Sequence, residues 1–205
     1  LNGEQVTIKK SGNYVDTNIL TTPLPKLKKG INELILRVPF GKRYGLENFC
    51  LLGDFGVSVS GCNASITKKC DNISFGSITH QGLPFYGGNI TYKTKITTPD
   101  CSLKIKLGQY RGALVKIAID GLDYGICTFA PYIKEIPFLT SGEHIIEFTL
   151  FGNRANTFGP LHNCNPNWKW FGPRAWYTTG EEWSCEYHLR DIGLLTSPIV
   201  EIIDL

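Results

Sequence analysis

Short runs of alternating apolar and polar side chains recur along this chain, each closed by glycine or proline. Residues 90–97 (ITYKTKIT) place Ile90, Tyr92, Thr94 and Ile96 on one face and Thr91, Lys93, Lys95 and Thr97 on the other. A period of two is the mark of a half-buried strand. Residues 102–107 (SLKIKL) alternate strictly, 113–119 (ALVKIAI) in part, and 144–151 (HIIEFTLF) and 198–205 (PIVEIIDL) complete the set. Between them stand QGLPFYGGN, IDGLDYG, TSGEH, FGPLHN and WFGPR, which read as turns. With 22 glycines and 11 prolines the chain has little room for a long helix. Many short strands spaced by turns predict an all-β protein, a β-sandwich or jelly roll.

A weak internal repeat lies over this pattern. Residues 30–41 (GINELILRVPFG) parallel 142–152 (GEHIIEFTLFG): a turn glycine, a polar residue or two, an apolar strand, then Phe-Gly. A strand ending in a short turn precedes each, LNG at 1–3 and IDG at 119–121. Another strand comes after each, DFGVSVSG at 54–61 and EYHLRDIG at 186–193. Aligned in this way, the start of the chain matches only the back half of the later module. Residues 1–68 are therefore expected to be the C-terminal part of a first sandwich, truncated and packed on the second. Residues 69–205 are expected to form a complete one. Half a sandwich leaves strand edges unpaired and an apolar face uncovered.

Composition changes the picture mainly by exclusion. A hydrophobic content of 42% is ample for a packed core, so general disorder is excluded. A net charge of +3, from 21 basic and 18 acidic residues, leaves no electrostatic footprint for nucleic acid, and KLKK at 26–29 reads as a solvated patch. No apolar run approaches 18 residues and no signal peptide is visible, so neither a membrane span nor a compartment, cytoplasmic or secreted, is read here. The chain begins at Leu1 and has no methionine, which reads as an excised segment of a longer protein. Its seven cysteines form no C-x-x-C pair, so a zinc ribbon or a redox motif is unsupported. Cys101 and Cys127 fall in apolar runs and read as buried thiols. Cys62 and Cys70 are close enough to bridge under oxidation, although a reducing setting is the simpler account. Three N-x-[ST] triplets, at Asn63, Asn72 and Asn89, carry little weight, because such triplets arise often by chance.

Candidate chemistry concentrates late in the chain. Strand 144–151 runs into a loop bearing Asn153, Arg154, Asn156, Thr157 and His162, and all four tryptophans fall within residues 168–183. This strand-to-loop pattern resembles the galactose-binding-like jelly rolls that serve as accessory domains of large bacterial glycoside hydrolases of the β-galactosidase kind. There a Gly-x-His/Asn turn opens a strand, which leads to an Asn/Arg-rich loop ending in glycine. The matching positions are Gly142, His144, Asn153, Arg154, Asn156 and Gly159, and Trp183 with Tyr187-His188-Leu189 resembles the next segment. The resemblance implies a galactose-binding-domain-like sandwich without catalysis of its own. It further implies a module that binds carbohydrate or buttresses a catalytic domain of the same polypeptide.

Trp168, Trp170 and Trp176, in a Gly/Pro-bearing loop, are the candidates for stacking on a sugar ring, with Asn153, Arg154 and His162 as hydrogen-bonding partners. Against this, the tryptophans also read as a minor core beneath a long loop, and the polar set as a loop that satisfies itself. On that second reading Arg154 is a buried clamp, His162 the more exposed member, and Trp183 a core residue. Glu181, Glu182, Glu186 and Asp191 cluster, but no pair converges as glycoside hydrolysis requires, so no catalytic residue is named. A structural calcium ion suits such sandwiches, yet Asp120, Asp123 and Asp191 read better as turn residues, and no cofactor or metal site is assigned. A spacer or protein-interaction module without sugar affinity is the alternative, and an independent glycosidase ranks third.

Overall fold

The computed structural model describes residues 1–42, 48–167 and 172–203. The chain divides into two compact units, Leu1–Leu51 and Leu52–Leu205.

In the first unit a hairpin joins β1 (Gly12–Tyr14) to β2 (Asp16–Thr21). Gly12 faces Thr21, and Val15 turns between the strands with φ of 65°. The strand expected at 30–41 is not laddered: no strand among the described residues pairs with it. Its apolar side chains stay open to solvent, among them Ile31, Leu34, Ile35, Leu36, Val38 and Phe40. An alternating sequence becomes a strand only when another strand takes its backbone bonds, and among the described residues none does.

The second unit starts with a hairpin of β3 (Gly56–Ser60) and β4 (Asn63–Thr67), and a sandwich comes after it. Its strands are β5 (Ile90–Thr98), β6 (Cys101–Lys106), β7 (Tyr110–Arg111), β8 (Leu114–Ile119), β9 (Leu122–Cys127), β10 (Ile133–Leu139), β11 (Gly142–Phe151), β12 (Gly193–Leu194) and β13 (Ile199–Ile203). One sheet has the order β5-β11-β8-β9, the other β10-β6-β13, and β12 pairs with β7. The chain passes back and forth between the sheets, the winding of a jelly roll. All pairings are antiparallel, and β11 runs in continuous register with β5 from Gly142–Thr98 to Leu150–Ile90. The protein is an all-β sandwich, as its periodicity predicts.

The core is the set of inward positions of that alternation. Leu103 and Ile105 of β6, Val115, Ile117 and Ile119 of β8, Ile136 of β10, and Ile146, Phe148 and Leu150 of β11 are all buried. Cys101 and Cys127 join them as free thiols, small hydrophobes in effect. β9 and β10 are among the strands the sequence reading did not give. IDGLDYG is not only a turn, since β9 begins at Leu122. That strand lies at a sheet edge with Leu122 and Ile126 exposed, so it carries no apolar-in signal. Strand β10 contains Pro137, tolerated because β10 is also an edge strand.

Conversely, 186–193 (EYHLRDIG) forms no continuous strand. Its backbone is divided among unrelated partners: Tyr187 N donates to Gly61 O at 3.1 Å, His188 N to Leu161 O at 2.7 Å, and Ile192 O accepts from Ile78 N at 2.8 Å. Only Gly193 joins a ladder there. The cysteine expectation also changes. Cys62 bridges Cys185, 123 residues away, rather than Cys70, so the β3–β4 turn is fastened to the late segment. Proximity in sequence offered Cys70 as the partner only under oxidation, with free thiols the simpler account, whereas the fold brings the turn at Gly61 against Tyr187.

Candidate functional site: the cleft beyond β11

Where β11 ends, its chain must leave the sheet beside a neighbouring loop. Gly152 lies against the Gly88 carbonyl, where a Cβ would collide, and its N–H donates to Asn89 Oδ1 at 3.3 Å. Asn153 then accepts the Ala155 N–H on its own Oδ1 at 3.0 Å. That turn starts a single helical turn, α1 (Ala155–Phe158). Thr157 of α1 donates from Oγ1 to Phe85 O at 2.9 Å, anchoring the loop.

Asn156 ties this loop to a distant part of the chain. It is fully buried, accepts the Arg190 N–H at 2.9 Å and donates to the Arg190 carbonyl at 2.8 Å. Thr79 Oγ1 donates to that same carbonyl at 2.8 Å. The amide therefore takes both backbone groups of one residue, as a strand neighbour would, and holds 188–190 across from the loop. Between them opens a cleft of about 360 Å³, bounded by Asn156, Pro160, Leu161, Asn163, Cys164, Asn165, Pro166, His188, Leu189 and Arg190 among others. That volume falls at the small end of ligand sites, about 300–1,000 Å³.

Two successive asparagine turns make the rim. Asn163 Oδ1 accepts from Asn165 N at 3.0 Å, and Asn165 Oδ1 from Asn167 N at 2.9 Å. Asn165 Nδ2 donates to Glu182 Oε1 at 2.9 Å, and Asn163 Nδ2 to Ala175 O at 3.4 Å. Asn163 also pairs with Trp183 in an isolated bridge. The aromatic segment is thus tied to the rim, with Trp176 at the end of a 3₁₀ turn (Pro173–Trp176). The bonds named use one hydrogen on each of the two amide nitrogens and one lone-pair direction on each oxygen. Groups of this kind suit neutral hydroxyls.

The sequence candidates are distributed differently from expectation. Trp168 and Trp170 lie outside the described residues. Trp176 is 45% exposed, whereas Trp183, expected in the core, is 38% exposed because it borders an isolated bridge rather than a sheet. Asn153 is occupied in its turn. Arg154 is exposed, not a buried clamp; Asn156 performs that task. His162 is the more enclosed member, its ring 4.7 Å from that of Tyr187 and its Nδ1 3.1 Å from Glu186 O. Trp176, Asn153, Arg154 and His162 do not border the cleft, though Ala155, Leu161 and Asn163, beside the last three, do. Asn163 and Asn165 escaped the sequence reading; the run NCNPN at 163–167, two asparagine turns in series, was the available signal.

Acidic residues weighed for calcium are engaged elsewhere. Asp120 Oδ2 lies 2.6 Å from His144 Nδ1, and Oδ1 accepts the Ile145 N–H at 2.8 Å. The imidazole hydrogen bond, then that backbone bond, hold the Asp120 carboxyl below the usual carboxylate range. The same contact, helped by the Thr140 carbonyl at 2.7 Å from Nε2, raises the His144 pKa. Asp123 pairs with Lys116 at 2.8 Å and Asp191 with His80 at 3.3 Å. Among the described residues no three His, Cys, Asp or Glu side chains converge as a metal site would require. No helix among them is long and apolar enough to cross a membrane.

No family model matches the chain, and no curated protein matches it. Among solved structures it is similar to a rhamnosidase from Novosphingobium sp. PP1Y, with 17% identity over 80% of this chain and a TM-score of 0.40. It is also similar to a GH2 beta-galacturonidase from Eisenbergiella tayi bound to galacturonate, with 13% identity over 73% of this chain and a TM-score of 0.39. The same enzyme bound to glycerol gives the same values. The chain spans only 16% of the first and 22% of the second.

Proposed function

We propose that this chain is a noncatalytic accessory module of a glycoside hydrolase and that it holds carbohydrate in the cleft beyond β11. The observation that carries the reading is the cleft itself. It is small, borders Asn163 and Asn165, and is fixed to the sandwich by the buried Asn156. Sugar hydroxyls need paired donors and acceptors on a rigid frame, and asparagine amides supply both. In this reading a glycan long enough to extend past the cleft stacks on the exposed Trp176, with Trp168 and Trp170 as further stacking candidates, while Asn153, Arg154 and His162 support the loop that shapes the cleft.

A glycan-array screen of the chain, run beside N165A and W176A, tests it. Binding to a defined subset of glycans is expected, weakened about tenfold or more by N165A, as one charge-free hydrogen-bonded anchor is worth. Silence across a broad array would sink the reading. A second reading then takes over, favoured by the exposure of Trp176, Tyr177 and Trp183. In it this aromatic segment docks a neighbouring catalytic domain and sugar plays no part.

A further inference from the structure

The two units carry the same structural lock. In the second, the turn after β8 places Asp120 and Gly121 at φ of 51° and 80°; in the first, Asn2 and Gly3 stand at 53° and 84°. Asp120 exchanges backbone and side-chain bonds with Ile145: its N–H donates to Ile145 O at 3.0 Å, and its Oδ1 accepts the Ile145 N–H at 2.8 Å. Asn2 does the same with Glu33, at 2.8 Å and 2.9 Å. His144 bridges Asp120 and the carbonyl four residues earlier, Thr140. Asn32 bridges Asn2 at 3.1 Å and the carbonyl four residues earlier, Lys28, at 2.9 Å. A constant offset also sets Pro25, Leu27 and Gly30 against Pro137, Leu139 and Gly142. A two-residue left-handed turn alone is common. The same turn with the same partners and the same bridging side chain is a repeated module.

That offset sets Leu34, Leu36 and Val38 against Ile146, Phe148 and Leu150, the core face of β11. The three residues of β11 are 0%, 1% and 0% exposed, whereas their counterparts are 46%, 45% and 49% exposed. In the second unit the cover is known: β5 and β8 flank β11, bringing Ile90, Tyr92, Val115 and Ile117 beside it, and β6 faces it from the opposite sheet.

We infer that residues 1–42 are the back half of a second sandwich, and that Leu34, Leu36 and Val38 form a docking face for a three-stranded polypeptide segment equivalent to β5, β6 and β8. The partner is defined by its chemistry. It has two strands that pair with 33–38 on either side, and a third across the core, each with aliphatic or aromatic residues at alternate positions. The counterpart of β8 reaches the Asn2 turn as β8 reaches the Asp120 turn. This inference is independent of sugar binding.

The chain's own strands are the probe. A copy of residues 88–118 joined ahead of Leu1 puts Leu1 in the place of Ile119, and hydrogen exchange compares this extended chain with the original. In the original, amides of 34–38 should exchange near unfolded rates while those of 146–150 are protected. In the extended chain, 34–38 should slow by about 100-fold or more. Unchanged exchange in the extended chain would overturn the inference. So would 34–38 already protected in the original chain, because the face would then be covered. As a second measurement, L34S/L36S/V38S should lower the fluorescence of an anilinonaphthalene sulfonate dye bound to the original chain severalfold. Undiminished fluorescence would show that no open apolar face exists there.

Discussion

At the scale of single residues, the two versions of one lock differ in charge. His144 and Asp120 can ionise, whereas Asn32 and Asn2 cannot. The raised His144 pKa stabilises the fold fully below the ordinary imidazole value of 6.5, and that contribution is lost as pH climbs through the raised value. The lowered Asp120 pKa acts above the ordinary carboxyl value of 3.8, and its contribution is lost as pH falls through the lowered value. The second unit should thus gain most from this pair between 3.8 and 6.5. Chemical denaturation across that range and up to about pH 9 should show stability falling on the alkaline side. D120N/H144N, which copies the Asn2–Asn32 pair, should flatten that fall. A slope unchanged by the double substitution would assign it to other groups.

Residue type was readable here while residue direction was not. The sequence singled out His144 through its turn and Asn153, Arg154 and His162 through their loop, but a loop has no period to say which way a side chain points. Asn156 turned inward, where its amide, donor and acceptor together, meets both backbone groups of Arg190. Its neighbours Asn153 and Arg154 were left to cap a turn and to face solvent.

Among elements, legibility followed burial. β5, β6, β8 and β11 could be read because each has one buried and one wetter face, so the alternation of the sandwich is written into them; β13 was legible from its apolar run alone, with only Val200 packed on the core. β9 and β10 are edge strands, with exposed Leu122 and Ile126 in one and Pro137 in the other, and edges relax that requirement. The segment 186–193 failed in the opposite sense, since a strand-like pattern was spent on several unrelated partners. The clearest contrast is between β11 and its unladdered counterpart. F148A removes a ring that is 1% exposed and should cost about 3–5 kcal/mol. L36A, at the equivalent place, should change stability of this chain by no more than about 0.5 kcal/mol. Urea melts of both variants test the pair. A large loss from L36A would mean that the first unit already buries that face.

For the molecule as a whole, the Cys62–Cys185 bridge matters more than any single contact. It closes 123 residues, and restricting an unfolded loop of that length is worth roughly 5 kcal/mol on the chain-entropy account, with about 2–5 the usual observed range. C62S/C185S should therefore lower the unfolding free energy of the second unit by about 2–5 kcal/mol; a change near zero would mean that the bridge constrains nothing that folding needs. The bridge also alters what kind of object the polypeptide is. From Cys62 to Cys185 it is a ring, with a tail at either end. A single protease nick in the exposed run 177–181 opens the ring without dividing the molecule, so the nicked protein should still migrate as one species of 22.8 kDa and fall into two pieces only when a thiol reductant is added.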